Sequence, residues 1–454
     1  MGGIRVISSR QMEEAHGGGF TLNDDTINKT IGEDNVDRHN KPRSRRDIIL
    51  WSLGALSHVK PYLVSFLTVN PSISCDLVQL YSKIHDEDMI RFLNEAWDKW
   101  KAMGPNWDED NCHPEWKKKD TDTDDKQQKD SEEEENNNIP PLVPCHSAFR
   151  RDGNERPSNN VMGAFGYYCT DLITPIVGSL ILELQEDAHI VCSAVDIAFA
   201  NSREDAVYAV TTHPGHHASK SCFGGYCYLN NAALCARLMQ RRLETGKNVI
   251  SGGPSCSSWE DGKSIISRGT IVNNYWKDED KDDQKPRASY GKGSSKSPIS
   301  SYSLGIAKLK SDSSTKKSKR NNRVAILDID YHCGNGTASI FYDDPTVFFT
   351  SIHCTPDVDY PWNSGFADQI GSGEGKGKTL HIPLEPGATW DGTYQTALHR
   401  AMSAILDFNP AALVVSMGLD TYEGDKVAVN RGGFKLKEHD YFNMGSIIAR
   451  YMAG

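Results

Sequence analysis

The feature that most constrains this chain of 454 residues is a series of short apolar runs separated by longer amphipathic segments. Two of the runs are Arg-Val-Ala-Ile-Leu-Asp-Ile at 323–329 and Ala-Ala-Leu-Val-Val-Ser at 411–416. A strand that is apolar on both faces is buried on both sides, as in a parallel sheet covered by helices. We therefore expect an α/β fold, whose ligands bind beyond the carboxyl ends of the strands.

Further strands and helices alternate along the chain. Apolar side chains recur at three- and four-residue spacing between 88 and 100, which predicts an amphipathic helix. Strands are predicted at 4–7, 206–210, 323–329, 346–352 and 411–416. Helices are predicted at 88–100, 174–200 (as one helix or two), 230–243, 393–406 and 441–451.

Two segments interrupt this pattern and are predicted to be mobile surface insertions. Residues 104–138 are acidic and rich in Asp, Glu and Asn, and residues 251–322 are rich in Ser, Lys and Gly. Such segments bury too little apolar surface to offset the entropy of ordering them. Folded-looking sequence resumes after each segment, so we expect a single domain spanning 1–454 with two long insertions.

Composition argues against several classes of protein. Because 61 Asp and Glu oppose 50 Lys and Arg, giving a net charge of −11, direct nucleic-acid binding is not expected. No apolar run reaches the roughly 18 residues that a membrane span needs. Eleven Cys without a CxxC pair favour a reducing compartment over a disulfide framework. We expect a cytoplasmic or nuclear protein; the basic run 316–320 is either a solvated insertion or a nuclear localisation signal.

Residues of metal-binding type follow three of the predicted strands. They are Asp328, Asp330 and His332 after the apolar run 324–327, Asp420 after 411–416, and His213-Pro-Gly-His-His217 after 206–210. Alternate residues of an extended segment point the same way, so Asp330 and His332 can reach one ion, and Asp420 could complete the set. Three protein ligands leave room for water and substrate, and mixed oxygen and nitrogen donors suit Zn²⁺, with Fe²⁺ as a competitor. One Asp at a strand end is more often a cap or turn residue, but three such ends together favour a metal site.

Four motifs occur in order along the chain. They are His213-Pro-Gly-His-His217, Gly224-Gly-Tyr-Cys-Tyr-Leu-Asn-Asn-Ala232, Leu327-Asp-Ile-Asp-Tyr-His-Cys-Gly-Asn-Gly-Thr337 and Gly418-Leu-Asp-Thr-Tyr-Glu-Gly-Asp425. Together they resemble motifs of the histone deacetylase / acetylpolyamine amidohydrolase family, over about 165–449 with the second insertion excluded. The resemblance implies an arginase-like three-layer fold, in which a parallel sheet of about eight strands lies between helices.

The resemblance also implies a metal centre. Asp330, His332 and Asp420 would hold Zn²⁺, which polarises the acetyl carbonyl and acidifies the attacking water. A structural K⁺ ion is a further expectation from the family.

Two histidines would carry the proton chemistry. By the same resemblance, His217 would act as general base and then general acid, and Asn335 would orient it. His216 would be a second, electrostatic histidine that is hydrogen-bonded to Asp328. Because Asn335 is neutral where some family members have Asp, the charged form of His217 should be less stabilised here.

Substrate contacts are predicted around the same pocket. The resemblance places Gly225, Tyr226 and Tyr360 in a narrow tunnel that grips an aliphatic chain bearing an acetamide. Ordinary aromatic core is the alternative interpretation of the two tyrosines. Asp171 is a candidate acidic residue at the tunnel mouth, with a solvated loop charge as its alternative.

The chain departs from the family pattern in two places that bear on activity. Thr212-His213 stands where the family usually has Arg-Pro, so a buried Arg contact is absent. The family's transition-state tyrosine lies in a Gly-Gly-Tyr turn beyond one further strand, past Gly454. We expect that the C-terminal part of the domain lies beyond residue 454; a weakened or inactive homologue is the other interpretation.

Two classes of substrate fit these motifs. The amine could belong to acetyl-lysine in histones or other proteins, or to a free acetylpolyamine. Because long insertions and a basic run are more typical of a regulated deacetylase, protein deacetylation, and with it a role in chromatin regulation, is preferred at this point. A scaffold that binds acetylated partners without turnover is a third possibility.

Overall fold

The computed structural model describes eleven segments of the chain. They are residues 4–9, 64–69, 75–103, 141–143, 154–200, 206–251, 263–266, 270–271, 307–308, 321–425 and 432–453. The predicted insertion at 104–138 lies outside the described residues, as does most of 251–322. The division of the chain into one domain with two insertions stays a prediction.

Eleven strands are present in the described segments. They are β1 (Ile4–Ser9), β2 (Val64–Val69), β3 (Ala206–Ala209), β4 (Ile250–Ser251), β5 (Lys263–Ile266), β6 (Thr270–Ile271), β7 (Ala307–Lys308), β8 (Val324–Asp328), β9 (Val347–Cys354), β10 (Thr379–Leu384) and β11 (Ala412–Ser416). All five predicted strands are among them. The others are short or carry polar residues, and sequence patterning missed them.

Eight α-helices lie between or after these strands in the described residues. They are α1 (Leu77–Tyr81), α2 (Glu87–Met103), α3 (Val161–Tyr168), α4 (Leu180–Ala200), α5 (Asn231–Thr245), α6 (Asn335–Ile340), α7 (Gln395–Phe408) and α8 (Glu438–Ala453). Local sequence sets their ends. In α5, for example, the Asn230 side chain accepts from the Ala233 amide, and Gly246 ends the helix at φ 71°. The predicted helix at 174–200 begins only at Leu180, because Pro175 and Gly178 disfavour a helix before it.

The strands form two larger sheets and one small one in the described part of the chain. The first sheet has the order β3-β1-β2-β5 and is wholly parallel. The second has the order β10-β9-β8-β11-β7, in which only β7 is antiparallel. The α/β class with parallel sheets is confirmed, although the described strands divide into sheets of four and five where one sheet of about eight was expected.

Both faces of the second sheet are buried, which gives the molecule its layers. Along β8, Val324 and Ile326 pack into one apolar core, whereas Ala325 and Leu327 pack into another. The first core includes helices α2, α4 and α5, and the second includes α7 and α8. Alternate residues of a strand point to opposite faces, so the continuous apolar run of β8 follows from helices on both sides. No helix among the described residues is long and apolar enough to cross a membrane.

Candidate active site

Two carboxylates and one imidazole meet at the carboxyl ends of β8 and β11. The Nδ1 atom of His332 lies 2.9 Å from Oδ2 of Asp420 and 3.3 Å from Oδ1 of Asp330. One donor atom from each of the three residues lies within 4.8 Å of the others. Two oxygens and one nitrogen at this spacing fit a divalent metal ion.

The pairing of β8 with β11 brings these residues together. The two strands run parallel with Asp328 opposite Ser416, so the segments that follow them leave the sheet at the same edge. Oδ1 of Asp420 accepts from the Tyr331 amide at 3.0 Å, which ties the two segments together. Gly418 lies between them, and a Cβ there would collide with the Asp330 carboxylate. The three residues predicted to bind a metal ion therefore lie together, and their binding of an ion stays a prediction.

The tandem histidines lie beside this cluster, and each has its own polar partner. Nδ1 of His216 is 2.9 Å from Oδ2 of Asp328, and Nδ1 of His217 is 2.8 Å from Oδ1 of Asn335. Their ring centroids are 4.0 Å apart, and the His217 ring is 6.0 Å from the His332 ring. The four predicted catalytic residues thus form two pairs next to the metal-type cluster.

The two histidines differ in charge because their partners differ. Burial alone would lower the pKa of His216, but the carboxylates of Asp328 and Asp330 outweigh it and raise that pKa to about 9. Burial lowers the pKa of His217 well below its ordinary value, and the neighbouring His216 and His332 add to the effect. Near neutral pH, His216 is therefore cationic and His217 is a neutral base.

A tight turn at 224–226 packs against His217. Gly225 has φ 57°, and a Cβ at this position would collide with the His217 ring. The carboxylate of Asp171 accepts from the Gly225 amide and from the amides of Ile173 (2.8 Å) and Thr174 (2.9 Å). Asp171 therefore holds the turn through backbone hydrogen bonds. Its predicted contact with substrate stays a prediction.

Aromatic side chains lie next to the paired histidines, and their predicted role as the wall of a substrate tunnel stays a prediction. The Tyr360 ring meets the His217 ring edge to face, with centroids 4.7 Å apart. Tyr226 and Trp362 are 54% and 47% exposed, and the apolar side chains of Leu172 and Ile173 are exposed as well. Gly225 and Tyr360 therefore lie against His217, whereas the side chain of Tyr226 is exposed, like those of Leu172 and Ile173.

The sequence lacks the family's usual Arg at the start of the paired-histidine motif, and the structure has other polar contacts there. His213, which directly follows the position where the family usually has Arg, lies 3.0 Å from Asp187 and 3.3 Å from Glu183 on α4. Asp187 also accepts from the backbone amides of Thr212 (2.6 Å) and His213 (3.1 Å). Sequence analysis missed this ion cluster, because Asp187 lies 26 residues from His213 inside an apolar helix.

These features define an α/β protein in which a cluster of metal-ligand side chains adjoins two buried histidines, each with its own polar partner. A family model described as "Histone deacetylase domain" matches residues 72–250 and 299–453. The chain therefore belongs to the histone deacetylase family, which includes acetylpolyamine amidohydrolases.

Individual relatives support the same placement. The chain is 27% identical over 368 residues to "Acetylpolyamine amidohydrolase 2" of Pseudomonas aeruginosa, covering 81% of this chain and 73% of that protein. It is 38% identical over 129 residues to "Histone deacetylase clr3" of Schizosaccharomyces pombe, covering 28% and 18%. A crystal structure of the acetylpolyamine aminohydrolase from Burkholderia pseudomallei superposes with a TM-score of 0.54 at 18% identity, covering 99% and 98%. The last likeness supports the arginase-like fold.

Proposed function

We propose that this protein is a zinc-dependent hydrolase that removes acetyl groups from primary alkylamines. One observation carries the proposal: the pairs His216–Asp328 and His217–Asn335 lie beside a cluster of Asp330, His332 and Asp420. When bound, a divalent ion there supplies the Lewis acidity that polarises the acetamide carbonyl and acidifies the attacking water.

The protein's own residues supply the proton transfers. Because Nδ1 of His217 donates to Oδ1 of Asn335, Nε2 keeps its lone pair and can accept a proton from the attacking water. The same nitrogen then delivers that proton to the leaving amine. His216, held cationic by Asp328, stabilises the negative charge that develops on the carbonyl oxygen.

An acetylated polyamine is the substrate that we favour. The relatives that match over 81% of the chain carry the name acetylpolyamine amidohydrolase. The exposed rings of Tyr226 and Trp362 at the pocket rim suit a cationic alkylamine, because aromatic faces attract ammonium groups. The sequence-based preference for protein lysine therefore becomes the second candidate.

Acetyl-lysine in histones or other proteins remains a specific alternative. Two relatives named histone deacetylases match this chain at 38% and 34% identity, although over segments of 129 and 123 residues. The matched segment covers 28% of the chain in one case and 26% in the other. The chemistry at the acetamide is the same for both substrates. The substrate preference therefore depends on whether the exposed residues around Tyr226 and Trp362 bind a free alkylamine or a peptide.

The test is a side-by-side measurement of kcat/KM on N-acetylputrescine and on an acetyl-lysine peptide, with zinc-loaded protein and with a hydroxamate chelator. We expect chelator-sensitive release of acetate, faster with N-acetylputrescine. A clear preference for the peptide would overturn the polyamine assignment and leave the deacetylase assignment in place. A His217→Ala variant is the control, and its activity should be lost. Absence of turnover on both substrates with metal bound would favour the non-catalytic scaffold.

A further inference from the structure

A second cluster of metal-ligand side chains lies close behind the active site and has no part in the proposed reaction. It consists of Cys333, His353 and His381, whose exposed fractions are 0%, 0% and 1%. One donor atom from each residue lies within 4.8 Å of the others. Three ligand-type side chains that converge with no solvent contact are unusual, because burying polar groups costs free energy unless they find partners.

The register of the second sheet explains why these residues meet. His381 on β10 lies opposite Ser351 on β9, and His353 follows Ser351 by two residues. Residues two apart on a strand share a face, so His353 and His381 are diagonal neighbours on one face of the sheet. Their ring centroids are 5.4 Å apart. Cys333 approaches from beyond the end of β8, the next strand in the sheet, and its Sγ lies 3.6 Å from Nδ1 of His381.

Two of the three donors are neutral rings, whereas burial raises the pKa of the Cys333 thiol, so this thiol must lose its proton when a metal ion binds. Burial lowers the pKa of His353 to about 4 and that of His381 to about 3, so both rings are neutral near pH 7. Nδ1 of His353 lies 2.8 Å from the Ser351 hydroxyl, and its Nε2 lies 2.9 Å from the Gly365 carbonyl oxygen. A histidine ligand commonly donates its second ring N–H to an oxygen, which Ser351 can accept here.

Gly365 keeps the space between the ligands open. Its φ is 107°, and a Cβ at this position would lie 2.8 Å from Nε2 of His353 and 2.9 Å from Sγ of Cys333. The same backbone segment brings the Gly365 carbonyl oxygen to the edge of this space. A side chain at residue 365 would fill the volume into which two of the three donor atoms point.

We propose that Cys333, His353 and His381 form a second, structural metal site that binds Zn²⁺, with the Gly365 carbonyl as a neighbouring fourth oxygen. One sulfur and two nitrogens are a donor set that zinc prefers, and a buried set is typical of a structural site. On binding, the Cys333 thiol releases one proton and ligates as a thiolate. Without an ion, the Nε2–H of His353 donates to the Gly365 carbonyl oxygen. On binding, the ring changes tautomer, so that Nε2 bonds the ion and the single ring N–H donates from Nδ1 to Ser351. The ion links β9, β10 and the segment that follows β8, next to the catalytic centre.

Metal counting and cobalt spectroscopy on the full chain test this site. We expect protein stripped with a chelator and reloaded with Zn²⁺ to hold two ions per chain by elemental analysis, against one in Cys333→Ser and one in His381→Asn. Loaded with Co²⁺, the wild type should show a sulfur-to-cobalt charge-transfer band, which the oxygen and nitrogen ligands of the catalytic centre cannot produce. That band should persist when His332→Ala and Asp420→Asn empty the catalytic centre.

Cys235→Ser is the matched control, because Cys235 is also buried and unpaired but lies on α5 outside the cluster. It should keep two ions and the charge-transfer band. One zinc ion per wild-type chain, no band in the wild type, or a band that survives Cys333→Ser would each overturn the proposal. The wild-type spectrum decides even where a variant fails to fold. Since the band does not depend on turnover, its absence leaves the proposed deacetylase activity standing.

Discussion

The partner of each catalytic histidine sets the charge of that histidine. His216 faces the carboxylate of Asp328, whereas His217 faces the neutral amide of Asn335. We predict that Asn335→Asp raises the pKa of His217 by about one unit or more, because an adjacent negative charge favours the imidazolium. A general base must be unprotonated, so the acidic limb of the kcat/KM profile should move to higher pH. The pH profiles of wild type and variant on N-acetylputrescine measure this shift.

Asp328→Asn provides the matched comparison for that experiment. Removing the carboxylate should lower the pKa of His216 and reduce kcat. Because the charge of His216 also depresses the pKa of His217, the acidic limb should move up here as well, but by less than in Asn335→Asp, where the new charge contacts the His217 ring directly. An acidic limb that stays in place in Asn335→Asp would contradict the assignment of His217 as the base.

The ligand assignment makes a separate prediction about metal content. His332→Ala and Asp420→Asn should each lower the metal content by one ion per chain and reduce kcat/KM by more than the roughly 10–100-fold cost of losing an outer partner. Asp420→Asn keeps an oxygen for the Tyr331 amide, so the fold should survive. Elemental analysis with circular dichroism checks both points. His399→Ala, which removes an exposed histidine on α7, should change neither quantity, and an unchanged metal content in both ligand variants would refute the assignment.

At the scale of an element, the turn at 224–226 depends on Asp171. We predict that Asp171→Asn lowers the Tm by a few degrees and raises KM equally for N-acetylputrescine and for uncharged N-butylacetamide. The reason is that the carboxylate accepts hydrogen bonds from backbone amides, and these bonds hold Gly225 against His217. Losing one charged acceptor costs about 1–3 kcal/mol. Thermal unfolding and steady-state kinetics give the two readouts.

The pair of substrates separates this role from direct recognition of a cation. If Asp171 bound the ammonium group, KM would rise for N-acetylputrescine alone, and the Tm would stay unchanged. Glu155→Gln is the control for a general charge effect, because Glu155 is exposed on the segment preceding α3. Its KM values should match those of the wild type.

A strand or helix can be predicted from sequence when the residue pattern that marks it lies within the element itself. Strand β8 was predictable because both of its faces are apolar, and Asp330 and His332 follow directly at its end. Strand β10 was not predicted, because Pro383 disfavours a strand in a run of only six residues in which apolar and other residues alternate. The ligands of the proposed catalytic ion follow two predicted strands, so the motifs were sufficient to identify them.

The second cluster, of Cys333, His353 and His381, could not be predicted from the sequence. Cys333 follows His332 directly, but its partners lie 20 and 48 residues further along, and one of them is on the unpredicted strand β10. Only the register of β9 with β10 places His353 and His381 on the same face. The ion cluster of His213 was hidden for the same reason, since its acidic partners come from a helix of another layer.

At the scale of the whole molecule, helix α4 is coupled to the catalytic loop by charge. Asp187 on α4 binds the His213 ring and two backbone amides just before His216 and His217. Burial alone would lower the pKa of His213, but hydrogen bonds to Asp187 and Glu183 outweigh it and raise that pKa to about 9. The His213 ring also meets the edge of Tyr228, with centroids 5.1 Å apart. The cationic ring therefore stabilises the contact between the first core and the active site.

This cluster should make the stability of the protein depend on pH in a defined direction. A histidine whose pKa is raised on folding contributes its full stabilisation below its unfolded pKa of about 6.5, and that contribution is lost as the pH rises through about 9. A tenfold difference in proton affinity between the folded and unfolded states corresponds to about 1.4 kcal/mol, so a few kcal/mol should disappear between about pH 6.5 and 9.5.

The measurement compares the Tm of wild type with that of His213→Arg and His213→Gln from pH 6 to 9.5. His213→Arg keeps its charge throughout this range, and His213→Gln never has one, so neither variant carries this pH dependence. Titrations elsewhere in the molecule are common to all three proteins and cancel in the difference. The wild type should therefore lose Tm more steeply than both variants above pH 7. Three parallel curves would show that the ring of His213 is not held as a cation between α4 and the catalytic loop.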